Sequence, residues 1–145
     1  MNSALRGLAA LRPITGSRFQ SLGDAEIKDL DQFILRFTKL QDAVGTHLFA
    51  AVLGVLQEPY QDWPMIDRLN RLEKLGLLEN AADWETIREA RNKLTHEYPD
   101  DPEKNAATLN LGFDAATRLE NVVWKVVEVL RAKGIPLSTP GMPTA

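Results

Sequence analysis

In the stretch RNKLTHEY, four side chains have types and spacing that could do chemistry: Arg91, Asn92, His96 and Tyr98. An imidazole, with an unperturbed pKa of about 6.5, can take or give a proton near neutral pH. A guanidinium stays charged and forks onto phosphate oxygens, so it can stabilise the charge that grows in a pentavalent transition state. Together Arg91 and His96 support phosphodiester cleavage without a metal. RNA carries its own nucleophile in the 2′-hydroxyl and DNA has none, which makes RNA the expected substrate. Arg88 and Lys93 would lie at the margin of such a site and attract the backbone.

The elements that position these residues read as helices. Alternating β-branched runs and Asn-Gly or Asp-Gly hairpin turns are missing from the sequence. From Ile27, the positions Ile27, Leu30, Ile34, Phe37, Val44, Leu48, Ala51 and Val55 step by three, four or seven, which predicts one long amphipathic helix ending before Pro59. Gly45 and Gly54 inside it mark a bend or a close helix contact. A short second helix follows in DWPMIDRLNRLEKLGLL, with Pro64 at its start and Gly76 as a left-handed cap. Asp83 is expected to cap a third helix, carrying Trp84, Ile87, Arg91, Leu94 and Tyr98 on one stripe up to Pro99. A fourth spans Glu103 to Lys133, closed by Gly134 and Pro136. Short connections between four helices predict an all-α, antiparallel, up-and-down four-helix bundle.

The fourth helix is apolar on two faces. Leu111, Ala115, Leu119, Val122 and Val126 form one stripe, while Phe113, Ala116, Val123, Trp124 and Val127 form another, nearly opposite. Either the first helix or an N-terminal arm covers the second stripe, or it is a subunit interface.

The third helix sets the geometry of the site. Arg91 sits among apolar residues, where a guanidinium is costly unless it meets an anion or water. Arg91 and His96 lie about 140° apart on an ideal helix, whereas Asn92 and His96 share a flank. Convergence of the set therefore calls for a second copy of the helix across a two-fold axis.

Composition bounds the rest. The 145 residues suit one domain, expected over 24–134, with an N-terminal extension at 1–23 and a disordered tail at 135–145. Residues 1–23 carry Arg6, Arg12 and Arg18 and no acid, a composition like that of a transit peptide, although Pro13 and Gly16 fit a poorly ordered extension better. Without cysteine, disulfides and thiolate metal sites are excluded and the cytoplasm is the expected compartment. With two histidines, His47 and His96, any metal would need carboxylates, and neither a metal nor a cofactor is expected. No apolar run suggests a membrane span. The net charge of −3 argues against a broad nucleic-acid surface but not against a local basic site. His47 reads as structural or solvated, and Asp100 and Asp101 as turn residues.

RNKLTHEY resembles the R-x4-H-x-Y motif of the HEPN superfamily, specifically HepT-like toxins of the MNT–HEPN toxin–antitoxin systems. The surrounding stretches RFTKLQDAVGTHLF, RLEKLGLL and WETIREARN are similar too, so the resemblance covers about residues 24–133. It implies a helical bundle dimerising through its motif helices, or a higher oligomer, and acting as a metal-independent endoribonuclease. Arg91 and His96 would be catalytic and Asn92 supporting. Tyr98 would match the tyrosine that a cognate minimal nucleotidyltransferase antitoxin modifies with AMP, placing negative charge and bulk beside the cleft. A non-catalytic HEPN subunit, binding a nucleotide or a nucleotidyltransferase partner through Arg91, is the second reading. A purely structural assembly protein is a third.

Overall fold

The structure, a computed structural model describing residues 8–137, explains first why the helix over residues 24–55, α2, turns its face partway along. The helix is continuous through residues 24–55. It is α-helical over Asp24–Ala43, π-helical over Val44–Leu48 and α-helical again over Phe49–Val55. Its first half buries Leu30, Phe33 and Phe37, close to the expected stripe. The π-turn then inserts one extra residue, which shifts the inward face by one position. Beyond it Phe49, Val52 and Leu53 are buried, while Ala51 is exposed and Val55 is 53% exposed. Ile27, at the other end of the expected stripe, is also exposed.

The remaining elements are α1 (Gly16–Gln20), α3 (Met65–Lys74), α4 (Ala81–Leu94) and α5 (Pro102–Ala132), preceded by a 3-10 turn at Ala9–Leu11. Among the described residues all regular structure is helical, and the helices pack around one shared core. No helix among them is long and apolar enough to cross a membrane.

Local chemistry sets most helix ends. Gly76 and Gly134 have φ of 79° and 73°, and each follows its helix in a left-handed cap. In both, a backbone N–H reaches back five residues, Leu77 to the Leu72 carbonyl at 2.9 Å and Ile135 to that of Leu130 at 3.0 Å. Asn80, rather than the expected Asp83, caps α4, its side chain accepting from the Ala82 N–H at 2.8 Å. Asp101 caps α5 through the Lys104 N–H at 3.0 Å, with Pro102 in the first turn, where its missing N–H costs nothing. Arg71 ties α3 to the preceding loop through Glu58 at 2.8 Å.

Two glycines let the helices approach closely. A Cβ on Gly45 would stand 2.8 Å from Cζ2 of Trp84, and one on Gly112 would stand 2.8 Å from Cδ1 of Leu94. So α4 lies against α2 at one end and α5 at the other. Gly45 marks the close contact that its place in an amphipathic helix suggested. Gly45→Val is expected to lower stability by about 1–3 kcal/mol, because the added methyl groups meet a buried indole with nowhere to move. A urea midpoint unchanged from wild type would refute that packing.

Residues 8–23 correct the expectation of an extension outside the fold. Leu8, Leu11 and Ile14 are buried in the core, and Asn110 of α5 exchanges two hydrogen bonds with the Ile14 backbone, at 2.9 and 2.8 Å. The Arg12 guanidinium lies 5.3 Å from the ring centroid of Phe113. The arm and α2 together cover the Phe113 end of the second stripe on α5, with the Phe33 ring centroid 5.1 Å from that of Phe113. Lower down, Trp124 is 59% exposed. Leu111, expected inside, is 46% exposed, because α4 approaches α5 on the side of Gly112 instead. Residues 1–7 of the expected extension and 138–145 of the expected tail lie outside the described residues. Within 135–137, Ile135 packs on the core.

Candidate functional site

The motif straddles a helix end. Its α-helix stops at Leu94, four residues short of the expected end. Thr95 competes for the last carbonyls, its hydroxyl donating to the Asn92 carbonyl at 2.6 Å, and Pro99 offers no N–H to continue. Arg91 and Asn92 are thus on the last helical turn, while His96 and Tyr98 lie in the connection to α5. Helical angles fix the first two but not the others.

Arg91 finds its anion within the chain. Its Nη2 lies 3.1 Å from Oδ2 of Asp42 on α2, and its Nη1 donates to Oδ1 of Asn92 at 3.3 Å. Nε is buried and has no hydrogen-bond partner among the described residues. The side chain as a whole is 28% exposed. Asp42 is the residue that sequence reasoning missed. It is 49 positions away and no local pattern couples the two.

His96 is exposed, and among the described residues its imidazole has no hydrogen-bond partner. It rims a groove that reaches Asp31 and Ile34 on α2. Asp42 stands eight residues beyond Ile34 on that helix, a rise of about 12 Å at ~1.5 Å per residue. Within one chain Arg91 and His96 therefore face different places.

Tyr98 is half-buried and its backbone is clamped. Asn105 accepts from the Tyr98 N–H at 3.1 Å and donates to the Tyr98 carbonyl at 2.7 Å. The Lys104 ammonium sits 4.2 Å from the Tyr98 ring centroid, a cation–π contact. Asn105→Ala is expected to cost about 1–3 kcal/mol, because it leaves the Tyr98 N–H without a partner and the Tyr98 carbonyl with only the Asp101 N–H, at 3.1 Å. Faster hydrogen exchange at the Tyr98 amide reads it out, and unchanged exchange would show that the clamp holds nothing.

The two marginal basic residues do not share a flank. Arg88 and Lys93 are both exposed, but they are five positions apart, about 140° around the helix. Lys93 lines a depression toward α5 with Glu89, Asp114 and Arg118. His47 is exposed on the π-turn, and Asp100 lies in the turn before α5. Among the described residues no group of three or more His, Asp or Glu side chains is arranged to hold a metal ion.

Comparison with known proteins gives no match to this chain, whether with family models, curated proteins or solved structures.

Proposed function

We propose that this chain is a metal-independent endoribonuclease of the HepT-like toxin type. In this reading α2 to α5 form a HEPN-type four-helix bundle, and two copies join their motif helices into one cleft. The observation that carries the reading is the division of the motif at the end of α4. An arginine held by Asn92 and Asp42 sits on the last helical turn, and an exposed imidazole with no hydrogen-bond partner among the described residues follows five residues on.

The chemistry follows from those groups. One His96 imidazole takes the proton of the RNA 2′-hydroxyl, and the 2′-oxygen attacks phosphorus. The bond to the 5′-oxygen breaks, and that oxygen takes a proton from solvent, to which the His96 imidazolium then returns its own. The products are a 2′,3′-cyclic phosphate and a 5′-hydroxyl end. Arg91 stabilises the equatorial oxygens of the transition state. Its ion pair with Asp42 is partly exposed, with 28% and 54% of the two side chains accessible, and is worth only about 0–1 kcal/mol, so a phosphate can displace the carboxylate.

A nucleotidyltransferase-fold antitoxin would neutralise the activity by placing AMP on Tyr98, and a cytoplasmic setting suits such a system. The Arg91–Asp42 pair favours a second reading, because a guanidinium engaged in its own chain is also what a non-catalytic nucleotide- or partner-binding subunit could carry.

A labelled RNA and its 2′-O-methyl counterpart, each incubated with the chain and EDTA, separate the two. The ribonuclease reading expects cleavage of the first alone, with cyclic phosphate ends. Both strands surviving intact at every protein concentration would leave the binding subunit.

A further inference from the structure

The groove beside His96 has a chemistry of its own. It encloses about 200 Å³ between α1, the first half of α2 and the junction of α4 with α5. Phe19, Leu22, Leu30, Ile34, Leu94 and Leu109 give it apolar walls. Besides Asn105, whose amide is engaged by the Tyr98 backbone, four polar side chains in its lining could recognise a ligand: His96, Thr108, Asp31 and Glu97. Thr108 is only 9% exposed, and among the described residues its hydroxyl has no hydrogen-bond partner. That hydroxyl keeps access to the groove and is free to pair with an occupant. Asp31 and Glu97 are exposed and make no ion pair among the described residues.

Two free carboxylates repel phosphate, so the natural occupant is not the backbone of a nucleic acid. Apolar walls with an aromatic ring suit a flat, π-faced group. The volume is below that of drug-sized pockets and fits a single small ring system. Carboxylates at the rim ask for N–H donors along its edge. Among the four RNA bases, guanine presents two adjacent donors, N1–H and the N2 amino group, matching the two oxygens of one carboxylate. Adenine and cytosine put an acceptor beside their amino donor, and uracil has a single N–H between two carbonyls. Unpaired bases splayed out of single-stranded RNA are read on this edge.

We propose that the groove is a guanine-binding subsite, which places the sugar and phosphate of a bound guanosine next to His96. The consequence for cleavage, a cut beside guanosine, rests on the ribonuclease reading above. The binding itself does not.

Two measurements keep those apart. The first is titration of the full chain with guanosine, adenosine, cytidine and uridine, followed by NMR shifts of Phe19 and Thr108. Guanosine should shift both residues and bind at least tenfold more tightly than the other three. An Asp31→Asn, Glu97→Gln double variant, changed only at exposed positions, should lose that preference at least tenfold while keeping the wild-type unfolding midpoint. Equal affinity for all four nucleosides, or shifts confined to other residues, would overturn the subsite. The second is mapping of cut positions in an RNA of mixed sequence, where cuts should concentrate beside guanosine in the wild type and spread in the double variant. Cuts without base preference overturn the subsite and leave the ribonuclease intact. Guanosine binding without any cuts does the reverse.

Discussion

Trp84→Ala should destabilise the protein by about 3–5 kcal/mol, the range for removing a large aromatic side chain from a core. The indole is 2% exposed, and its ring lies 4.8 Å from that of Phe49 in an edge-on arrangement. On its other side is Gly45, which has no side chain to move into the space left behind. The cavity therefore stays open, and the loss exceeds what transfer of the indole alone would give. With total stabilities of about 5–15 kcal/mol for domains, this one change can leave the chain largely unfolded at 37 °C. Urea unfolding measures it, and Trp84→Phe, which keeps a ring against Phe49, should recover part of the loss. A cost below about 1 kcal/mol would mean that α2 and α4 do not meet through this residue.

The second large effect is on activity. His96→Ala should slow RNA cleavage by about 10²–10⁴-fold, the usual contribution of a general acid or base. Its unfolding midpoint should match wild type, because the imidazole is exposed and makes no hydrogen bond among the described residues. That independence makes His96 a cleaner probe than Arg91, whose guanidinium links α4 to Asp42 of α2 and holds Asn92. Cleavage by His96→Ala at the wild-type rate would end the catalytic assignment.

Much of the helical architecture is written locally, and those parts could be read directly. Gly76 and Gly134 end their helices because a left-handed residue is needed there, and Pro102 fits a first turn because its N–H is not missed. The face of α2 beyond residue 44 could not be read, since a π-turn breaks the period on which the stripe was counted. Nor could the role of residues 8–23. An acid-free, proline-bearing arm looks dispensable until α5 offers it an asparagine and an apolar face. At the site, the odd position of Arg91 was legible, and so was its need for an anion. That the anion is Asp42 was not, because the pairing depends on how α2 and α4 pack. The early end of α4 was also hidden, as it turns on the Thr95 hydroxyl reaching back to Asn92.

The central claim is that each chain contributes half of a shared site, and mixing two inactive variants tests it. Arg91→Ala and His96→Ala, unfolded together and refolded as a mixture, form heterodimers in which one chain supplies Arg91 and the other His96. If the two residues work across the interface, the mixture regains a substantial fraction of wild-type RNA cleavage. A mixture no more active than its separate components would contradict the account.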